Sequence, residues 1–501
     1  MVEFLQHFQD NKSIFYVRGY RMKTVVAIDL GASNGRVIQI DYQNQKIQLT
    51  NVHRFLNESI YIDGNEYWDI EYLFSEIIQG IKKVPREITS IGIDSWGVDI
   101  AIIGQDGQLL GNPYCYRDPH TLSVMEEVHK TFNPYELYKR TGVIPNSINT
   151  LYQLKAIFKQ HPEYKKEARA ILTLPSVINY LLTGEIANEF THSSTTQMLS
   201  RQTKEWDYDL LTQVFNEEIP LAPIKESLSV YGETKVEFPF SQTKVIQTPG
   251  HDTACALAAL PRSEKMGAFM SCGTWIIIGL EVPEPVVTKE AYDYGLTNEG
   301  TVNGSYRLQK NNMGLWLVQQ CRKQWKEEGK HISYQEESQL LSEAQAFRSL
   351  IDPDDMRFFN PDSMIKEIQA YCVETNQAVP RTEGQILRCI IESLSLKYRW
   401  VIEKLEEVTG QSVPSIHMGG GGILNEALCQ FTSNATQRKT EAGPVEASSI
   451  GNGLSQLIVL GEVKNWAEAE RIVAQSFEIK KYEPKDQKEW NQAYEKFLTL
   501  L

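Results

Sequence analysis

The chain has 501 residues, of which 42% are hydrophobic and 23% charged. It is therefore long enough for two hydrophobic cores and has the composition of a folded globular protein. A formal net charge of -14 argues against nucleic acid or an anionic membrane as the main partner, because such contacts need basic surface. No apolar run is long enough to span a membrane or to form a signal peptide.

The seven cysteines are scattered, odd in number and never form a C-x-x-C pair. This usage favours reduced thiols and a cytoplasmic location. Whether Cys372 and Cys389 pair is left open. Met22 stands directly before the first predicted strand, so residues 1–21 are predicted to be an N-terminal extension outside the fold.

The first half of the chain predicts a mixed α/β domain. Its expected elements are a tight hairpin over 23–41, a third strand over 47–55, a helix over 72–84, strand-like residues over 88–103, a mostly helical stretch over 135–182 and an irregular connection over 220–249. A small-residue helix follows, and the domain junction is placed after residue 260. This order predicts an antiparallel meander followed by a helix and a further strand.

The second half repeats this layout, which indicates internal duplication. Its expected elements are strands over 268–281, helices over 313–326 and 383–409, a strand ending in the four glycines 419–422, and an apolar helix over 446–462. The predicted division is 22–260 for the N-terminal domain, 261–485 for the C-terminal domain and 486–501 for a tail helix.

The turn of the first hairpin has the residues of a phosphate-binding loop. Glycines at 31 and 35 let backbone amides approach phosphate oxygens, and Ser33 and Asn34 add donors. Asp29 suits a hydrated Mg²⁺, and Arg36 suits phosphate charge. The alternative is a plain hairpin turn with a solvated arginine. A G-x-S-x-G match at 31–35 also raises a serine hydrolase, but the strand-like residues 37–40 disfavour it, since that motif needs a following helix.

Three other segments carry candidate chemistry. The glycine turn 419–422 would let a flat adenine or ribose lie on backbone, and its alternative is a flexible loop. Asp252 begins a helix, where it could accept a hydroxyl proton or only cap the helix. The segment 95–99, with a tryptophan, a glycine and Asp99, suits a sugar platform or a mere core turn. The chain has no Walker A, H-R-D or D-F-G string.

Taken together, these segments resemble the FGGY family of sugar kinases from about residue 24 to about 460. The matching strings are 29–36, 92–99, 116–118, 150–154, 251–254, 271–275, 313–317 and 443–448. The resemblance implies two actin-like, ribonuclease-H-like domains that flank a cleft for ATP and sugar. It further implies that the first domain binds sugar and phosphate and the second binds nucleotide.

The resemblance also assigns roles to single residues. ATP would be bound by Ala32, Ser33, Asn34, Gly35, Arg36, Thr274, Gln319 and Gly421. The ketose would be bound by Gly97, His251, Asp252, Thr253 and Asn311. Asp252 would accept the proton of the sugar's 1-hydroxyl, and Asp29 would hold Mg²⁺ through water. Two positions depart from the family pattern: His120 stands where a further arginine is expected, and Gly250 where serine is usual.

The implied reaction is ATP-dependent phosphorylation of a ketose at its 1-hydroxyl, with L-rhamnulose in L-rhamnose degradation the favoured substrate. Another deoxyketose such as L-fuculose is the alternative within the family. An actin-like ATP-binding module without sugar chemistry is the alternative outside it, although such a module has no need of Asp252. A monomer or a small homo-oligomer is expected.

Overall fold

The computed structural model of the protein describes residues 22–260 and 267–501. The predicted extension 1–21 lies outside the described residues. In the first half the strands are β1 (Lys23–Leu30), β2 (Asn34–Gln43), β3 (Lys46–Leu56), β4 (Ser59–Ile62), β5 (Asn65–Trp68), β6 (Ser90–Ser95), β7 (Ile100–Gly104), β8 (Ala168–Thr173), β9 (Asn188–Glu189), β10 (Ile224–Lys225), β11 (Ser229–Glu233) and β12 (Lys244–Gln247).

Helices of the first half cover these strands. They are α1 (Ile70–Lys82), α2 (Leu122–Thr131), α3 (Pro134–Thr141), α4 (Thr150–Gln160), α5 (Tyr164–Glu167), α6 (Leu174–Thr183), α7 (Phe190–Ser193), α8 (Tyr208–Phe215) and α9 (Asp252–Ala259). Short 3₁₀ helices occur at Pro119–Thr121, and later at Met356–Phe358 and Gly421–Leu424.

The second half contains a further set of strands and helices. The strands are β13 (Ala268–Cys272), β14 (Trp275–Val282), β15 (Thr297–Gly300), β16 (Tyr306–Met313), β17 (Ser415–Gly419), β18 (Lys439–Ala442) and β19 (Lys480–Tyr482). The helices are α10 (Lys289–Asp293), α11 (Trp316–Glu327), α12 (Tyr334–Glu343), α13 (Met364–Glu374), α14 (Glu383–Thr409), α15 (Glu426–Thr436), α16 (Ala447–Val459), α17 (Trp466–Ser476) and α18 (Gln487–Leu498).

The two main sheets share one topology. The first runs β3-β2-β1-β6-β12-β11, with β1, β2 and β3 antiparallel and β6 and β12 parallel to β1. The second runs β15-β16-β14-β13-β17-β18-β19, again an antiparallel trio joined to two strands parallel to the innermost one. The predicted duplication and the two-domain α/β fold class are thereby confirmed.

Strand β1 is buried on both faces because helices cover both sides of its sheet. Val26, Ile28 and Leu30 belong to one core together with residues of α1 and α6. Val25 and Ala27 face the opposite side and pack against Ile450, Leu454 and Leu457 of α16.

A helix of the second half thus covers the first sheet. Close approach between α16 and α9 depends on Gly451, where a Cβ atom would lie 1.9 Å from the carbonyl oxygen of Cys255. Side chains of α16 also reach the sheet: Gln456 donates to the carbonyl of Val26 over 3.0 Å. This helix is therefore the structural link that carries second-half residues into the first-half site.

Several predicted elements agree with the structure and some do not. The hairpin, the third strand and the helix 383–409 are confirmed. Strand β8 lies inside the stretch predicted as helical, because a short apolar run does not distinguish helix from strand. The connection 220–249, predicted to be irregular, contains β11 and β12, and α17 follows the expected last apolar helix. No helix within 22–260 or 267–501 has the length and apolar character needed to cross a membrane.

Candidate active site

The turn between β1 and β2 is tight and supported from behind. The amide of Gly31 donates to the carbonyl of Asn34 over 3.0 Å, and the side chain of Asn57 donates to the carbonyl of Gly31 over 2.9 Å. A Cβ atom at Gly35 would lie 2.2 Å from the ring of Phe55, so only glycine fits there. Ser33 at the tip is exposed. The hairpin therefore presents small residues and backbone at its tip, as a phosphate loop requires.

Asp29 and Arg36 stand opposite each other on β1 and β2 and form an ion pair of 2.9 Å. Arg36 also pairs with Glu446, which directly precedes α16, and Ser449 of α16 donates to Asp29 over 2.9 Å. Because of these two carboxylates, chiefly Asp29, the pKa of Arg36 is raised. The predicted phosphate ligand Arg36 is thus also a bridge between the hairpin and the second half of the chain.

A second carboxylate lies beside Asp29. Asp94 of β6 is in register with Asp29 and is fully buried. Asn452 of α16 donates to its Oδ2 over 2.7 Å, while its Oδ1 has no hydrogen-bond partner among the described residues. Burial, followed by the charge of Asp29, raises the pKa of Asp94 well above its usual range. Ionisation of Asp94 beside Asp29 needs a compensating positive charge, so the pair suits a bound cation.

Asp252 is the first residue of α9, as the sequence predicts. The amide of Thr253 donates to its Oδ1 over 2.6 Å. Burial and the neighbouring charge of Asp29 raise the pKa of Asp252 from 3.8 to about 7. A carboxylate with that pKa can take up a proton and release it near neutral pH, which is what a general base needs.

His251 lies just before Asp252 and is buried. Its Nδ1 accepts a hydrogen bond of 2.8 Å from Arg307 of β16, and it lies 3.7 Å from Oδ1 of Asp252. Burial, the charge of Arg307 and His192 together hold the pKa of His251 well below its usual range. The histidine is therefore neutral.

Gly97 lies against the same histidine. A Cβ atom at this position would lie 2.8 Å from Nε2 of His251. The next residue, Val98, has φ of 69°, a strained value for a β-branched side chain, in a turn closed by a 3.0 Å hydrogen bond from Asp99 N to Gly97 O. Thr195 also accepts from the amide of Val98 over 3.0 Å. Such strain persists where the surroundings fix it, and it is common at binding sites.

For the side chains of Trp96 and Asp99 the structure favours the core-turn alternative over the sugar platform. Trp96 is buried, and Asp99 is fully buried with its oxygens occupied by Trp68, Trp96 and Gln153 at 2.6, 2.8 and 2.9 Å. Burial raises the pKa of Asp99 to about 6. These residues hold the strained turn, and only Gly97 in this segment remains a candidate sugar contact.

The remaining predicted residues lie on the second sheet and its loops. Thr274 and Gln319 meet at 3.5 Å, and Gln319 is exposed. Gly421 is exposed, and a Cβ atom there would contact nothing within 4 Å. Asn311 is exposed on β16 and shares a strand face with Arg307, because side chains alternate along a strand.

The two residues that depart from the family pattern, His120 and Gly250, both form hydrogen bonds with neighbouring residues. His120 stacks on Tyr114 with ring centroids 4.2 Å apart and hydrogen bonds to Asp118 over 2.9 Å. The amide of Gly250 donates to the buried Glu189 over 2.8 Å. Both positions are thus parts of structural networks.

Sequence reasoning gave no role to several residues that complete this site: Asp94, Arg307, Glu446, Ser449 and Asn452. Asp94 could have been found, since it occupies the same position near the end of a buried strand as Asp29. Arg307 had no such signal, because a single arginine in a strand usually faces solvent. Cys372 and Cys389, left open above, are both free thiols in the structure.

Two duplicated sheets, a glycine hairpin, buried carboxylates and a carboxylate poised as a base define the class: a small-molecule phosphotransferase of the actin-like fold. The chain matches the N-terminal domain model of the FGGY family of carbohydrate kinases over residues 24–258 and the C-terminal domain model over 268–459. It belongs to this family and is a carbohydrate kinase, an enzyme that uses ATP and a sugar as substrates.

Curated relatives match along nearly the whole chain. A rhamnulokinase of Bacteroides thetaiotaomicron is 38% identical over 478 residues, covering 93% of this chain and 97% of the relative. A rhamnulokinase of Halalkalibacterium halodurans is 39% identical over 469 residues, covering 92% and 99%.

Solved structures confirm the fold. A xylulose kinase from Lactobacillus acidophilus superimposes with a TM-score of 0.79 at 17% identity, covering 95% of this chain and 97% of that one. Plasmodium falciparum glycerol kinase with ADP superimposes with a TM-score of 0.75 at 17% identity, covering 95% and 98%.

Proposed function

We propose that this kinase transfers the γ-phosphoryl group of ATP to the 1-hydroxyl of L-rhamnulose. The observation that carries the reaction is the position of Asp252 at the start of α9, with its pKa raised to about 7. The choice of L-rhamnulose as the substrate rests on the relatives named rhamnulokinase, which are 38% and 39% identical over more than nine tenths of the chain.

In this proposal the sugar lies between the turn at Gly97 and the start of α9. His251, Thr253 and Asn311 hold its hydroxyl groups, and the Asp252 carboxylate accepts the proton of the 1-hydroxyl. Phosphoryl transfer depends mainly on positioning and charge, so the acceptor chiefly orients the nucleophile. The proton acceptor is available once Asp252 has ionised.

The nucleotide phosphates are proposed to lie on the hairpin residues Ala32, Ser33, Asn34, Gly35 and Arg36. Thr274, Gln319 and the open Gly421 receive the rest of the nucleotide. The exposed tip of the hairpin and the empty space at Gly421 support this placement, because both let a ligand approach backbone.

Asp29 and Asp94 fit a hydrated Mg²⁺. The carboxylates are hard oxygen donors, and Oδ1 of Asp94 is buried without a partner among the described residues. No group of three or more histidine, cysteine or acidic side chains in the described part of the chain converges as a complete metal cage. Asp29 would therefore hold the ion through water. When bound, the ion would neutralise phosphate charge.

The test is ADP release with Mg-ATP and a panel of L-rhamnulose, L-fuculose, L-xylulose and glycerol. We expect strong preference for L-rhamnulose in the intact protein and ADP release slower by about 10² to 10⁴ in Asp252→Asn. Preference for another ketose would identify that sugar as the substrate in place of L-rhamnulose and would leave the proposed reaction unchanged. Absence of sugar-dependent ADP release with every ketose would contradict the proposal. The cytoplasmic location and the monomer or small homo-oligomer stay predictions.

A further inference from the structure

A fully buried arginine of the second sheet reaches the predicted sugar site of the first half. Arg307 lies on β16, and its Nη2 donates to Nδ1 of His251 over 2.8 Å. None of its surface is exposed. Burial of an arginine is costly unless its charge and donors are satisfied, so this placement calls for a reason.

The guanidinium is held in one position by three further partners. It pairs with Glu299, which stands opposite on β15. It also donates to Oε1 of Gln309 over 2.8 Å and to the carbonyl of Gly300 over 2.7 Å. A planar group fixed on several sides cannot turn away, so its bond to His251 is fixed in direction.

This bond determines which nitrogen of His251 carries the proton. A guanidinium has donors and no acceptor, so Nδ1 must be the acceptor and must be unprotonated. The low pKa of His251 keeps the ring neutral. The single ring proton is therefore on Nε2, and that nitrogen is a hydrogen-bond donor.

The donor faces the predicted sugar position. Nε2 lies next to Gly97, since a Cβ atom at that residue would be 2.8 Å from this nitrogen. No described residue forms a hydrogen bond with Nε2. The carboxylate of Asp252 lies on the Nδ1 side of the ring, at 3.7 Å. Nε2–H is thus left for a ligand, next to the general base.

We propose that Arg307 is a positioning residue for substrate recognition. It locks His251 as the neutral Nε2–H tautomer, so that the ring donates a hydrogen bond to a hydroxyl or carbonyl oxygen of the sugar. This inference rests on the proposed function for the identity of that oxygen. Because β16 belongs to the second sheet, the sugar site of the first half is complete only when both halves are in contact.

The charged and titratable groups around His251 are Arg307 from β16, Asp252 from α9 and His192 from α7. His192 donates from Nε2 to the carbonyl of Trp96 over 2.8 Å, and burial lowers its pKa to about 4. Near neutral pH the ring of His251 therefore faces the fixed positive charge of Arg307, a neutral imidazole and the Asp252 carboxyl, which titrates in this range. Its tautomer does not change while Asp252 titrates.

The first test is made on the intact protein without ligand. Long-range ¹⁵N–¹H correlation spectra of ¹⁵N-histidine-labelled protein report each ring's tautomer, and the His251→Gln variant assigns the signal among the nine histidines. We expect a protonated Nε2 and a bare Nδ1 from about pH 5.5 to about pH 8.5. A protonated Nδ1, or titration of this ring in that range, would overturn the proposal.

The second test separates sugar binding from nucleotide binding. Arg307→Met should raise the KM for L-rhamnulose about 10- to 100-fold, as loss of an orienting partner does elsewhere, and leave the KM for ATP unchanged. Arg438→Gln is the matched control, since Arg438 also pairs with a glutamate, Glu406, at 2.7 Å and with carbonyl groups. An unchanged sugar KM in a folded Arg307→Met protein would refute the proposal.

A third test asks whether the effects of the Arg307 and His251 substitutions on the sugar KM add. If Arg307 acts only through His251, then Arg307→Met added to His251→Phe should cost nothing further in sugar KM. Additive losses would overturn the proposed route. If no ketose supports ADP release, only the proposed function is contradicted. The spectra of the ligand-free protein still show which nitrogen of His251 is protonated, and so test the role of Arg307 separately.

Discussion

Replacing Asp252 with asparagine keeps the shape of the side chain and removes its charge. The folded protein raises the pKa of Asp252 from 3.8 to about 7. Because the folded state binds the proton more tightly than the unfolded state, the wild type loses stability as pH rises from about 4 to about 7. The amide does not titrate, so the variant does not have this cost.

The size of the effect follows from the shift. About three pH units correspond to about 4 kcal/mol at about 1.4 kcal/mol per unit. The side chain is 31% exposed, and solvent screening reduces the figure to about 1–2 kcal/mol. We therefore expect Asp252→Asn to melt at a higher temperature than the wild type at pH 8, with a smaller difference at pH 5.5.

The catalytic rate of Asp252→Asn should fall although its stability at pH 8 rises. Loss of the proton acceptor should lower kcat by about 10² to 10⁴ while ATP still binds. In the wild type, kcat/KM for the sugar should rise with pH and reach half its maximum near pH 7, the pKa of Asp252. Coupled ADP release from pH 5.5 to 8.5 measures both, and thermal melts of the same samples measure stability.

Asp209→Asn is the matched control. Asp209 is exposed and hydrogen bonds to Arg140, which lowers its pKa. Its amide variant should keep full activity and gain no stability at pH 8. Wild-type turnover by Asp252→Asn would refute the assignment of Asp252 as the base, and a lower melting temperature at pH 8 would refute the stability reasoning.

Three further substitutions test other parts of the site. Gly97→Ala should raise the KM for the sugar at least about 10-fold without affecting that for ATP, because the methyl group would displace the fixed ring of His251; an unchanged sugar KM would contradict this. Gly421→Ala should melt like the wild type, since nothing lies within 4 Å, yet raise the KM for ATP; equal KM values would place the nucleotide elsewhere. Arg36→Ala should weaken nucleotide use more than sugar binding and lower the melting temperature, because Asp29 loses its ion-pair partner; an effect confined to the sugar would exclude the hairpin as the phosphate site.

The sequence by itself determined the local parts of this protein. A glycine turn between two apolar runs encodes the β1–β2 hairpin through residues that are adjacent in the chain, and the 27-residue helix α14 starts with a capping box at Thr382 and Gln385. The family resemblance rested on such contiguous strings as well. Two short strands were not predicted: β8 and β12 have only six and four residues, so their conformation depends on the strands beside them more than on their own pattern.

Only the tertiary structure decided how distant residues combine. Asp29 meets Ser449 across 420 positions, and Asp94 meets Asn452 across 358, because α16 crosses onto the first sheet. The same folding buries Asp99 among tryptophans, which removes it from the sugar site, and brings Arg307 to His251 across 56 positions. Local sequence patterns report helix, strand and turn, whereas pKa values, tautomers and ion pairs depend on burial and on partners that only the folded chain brings together.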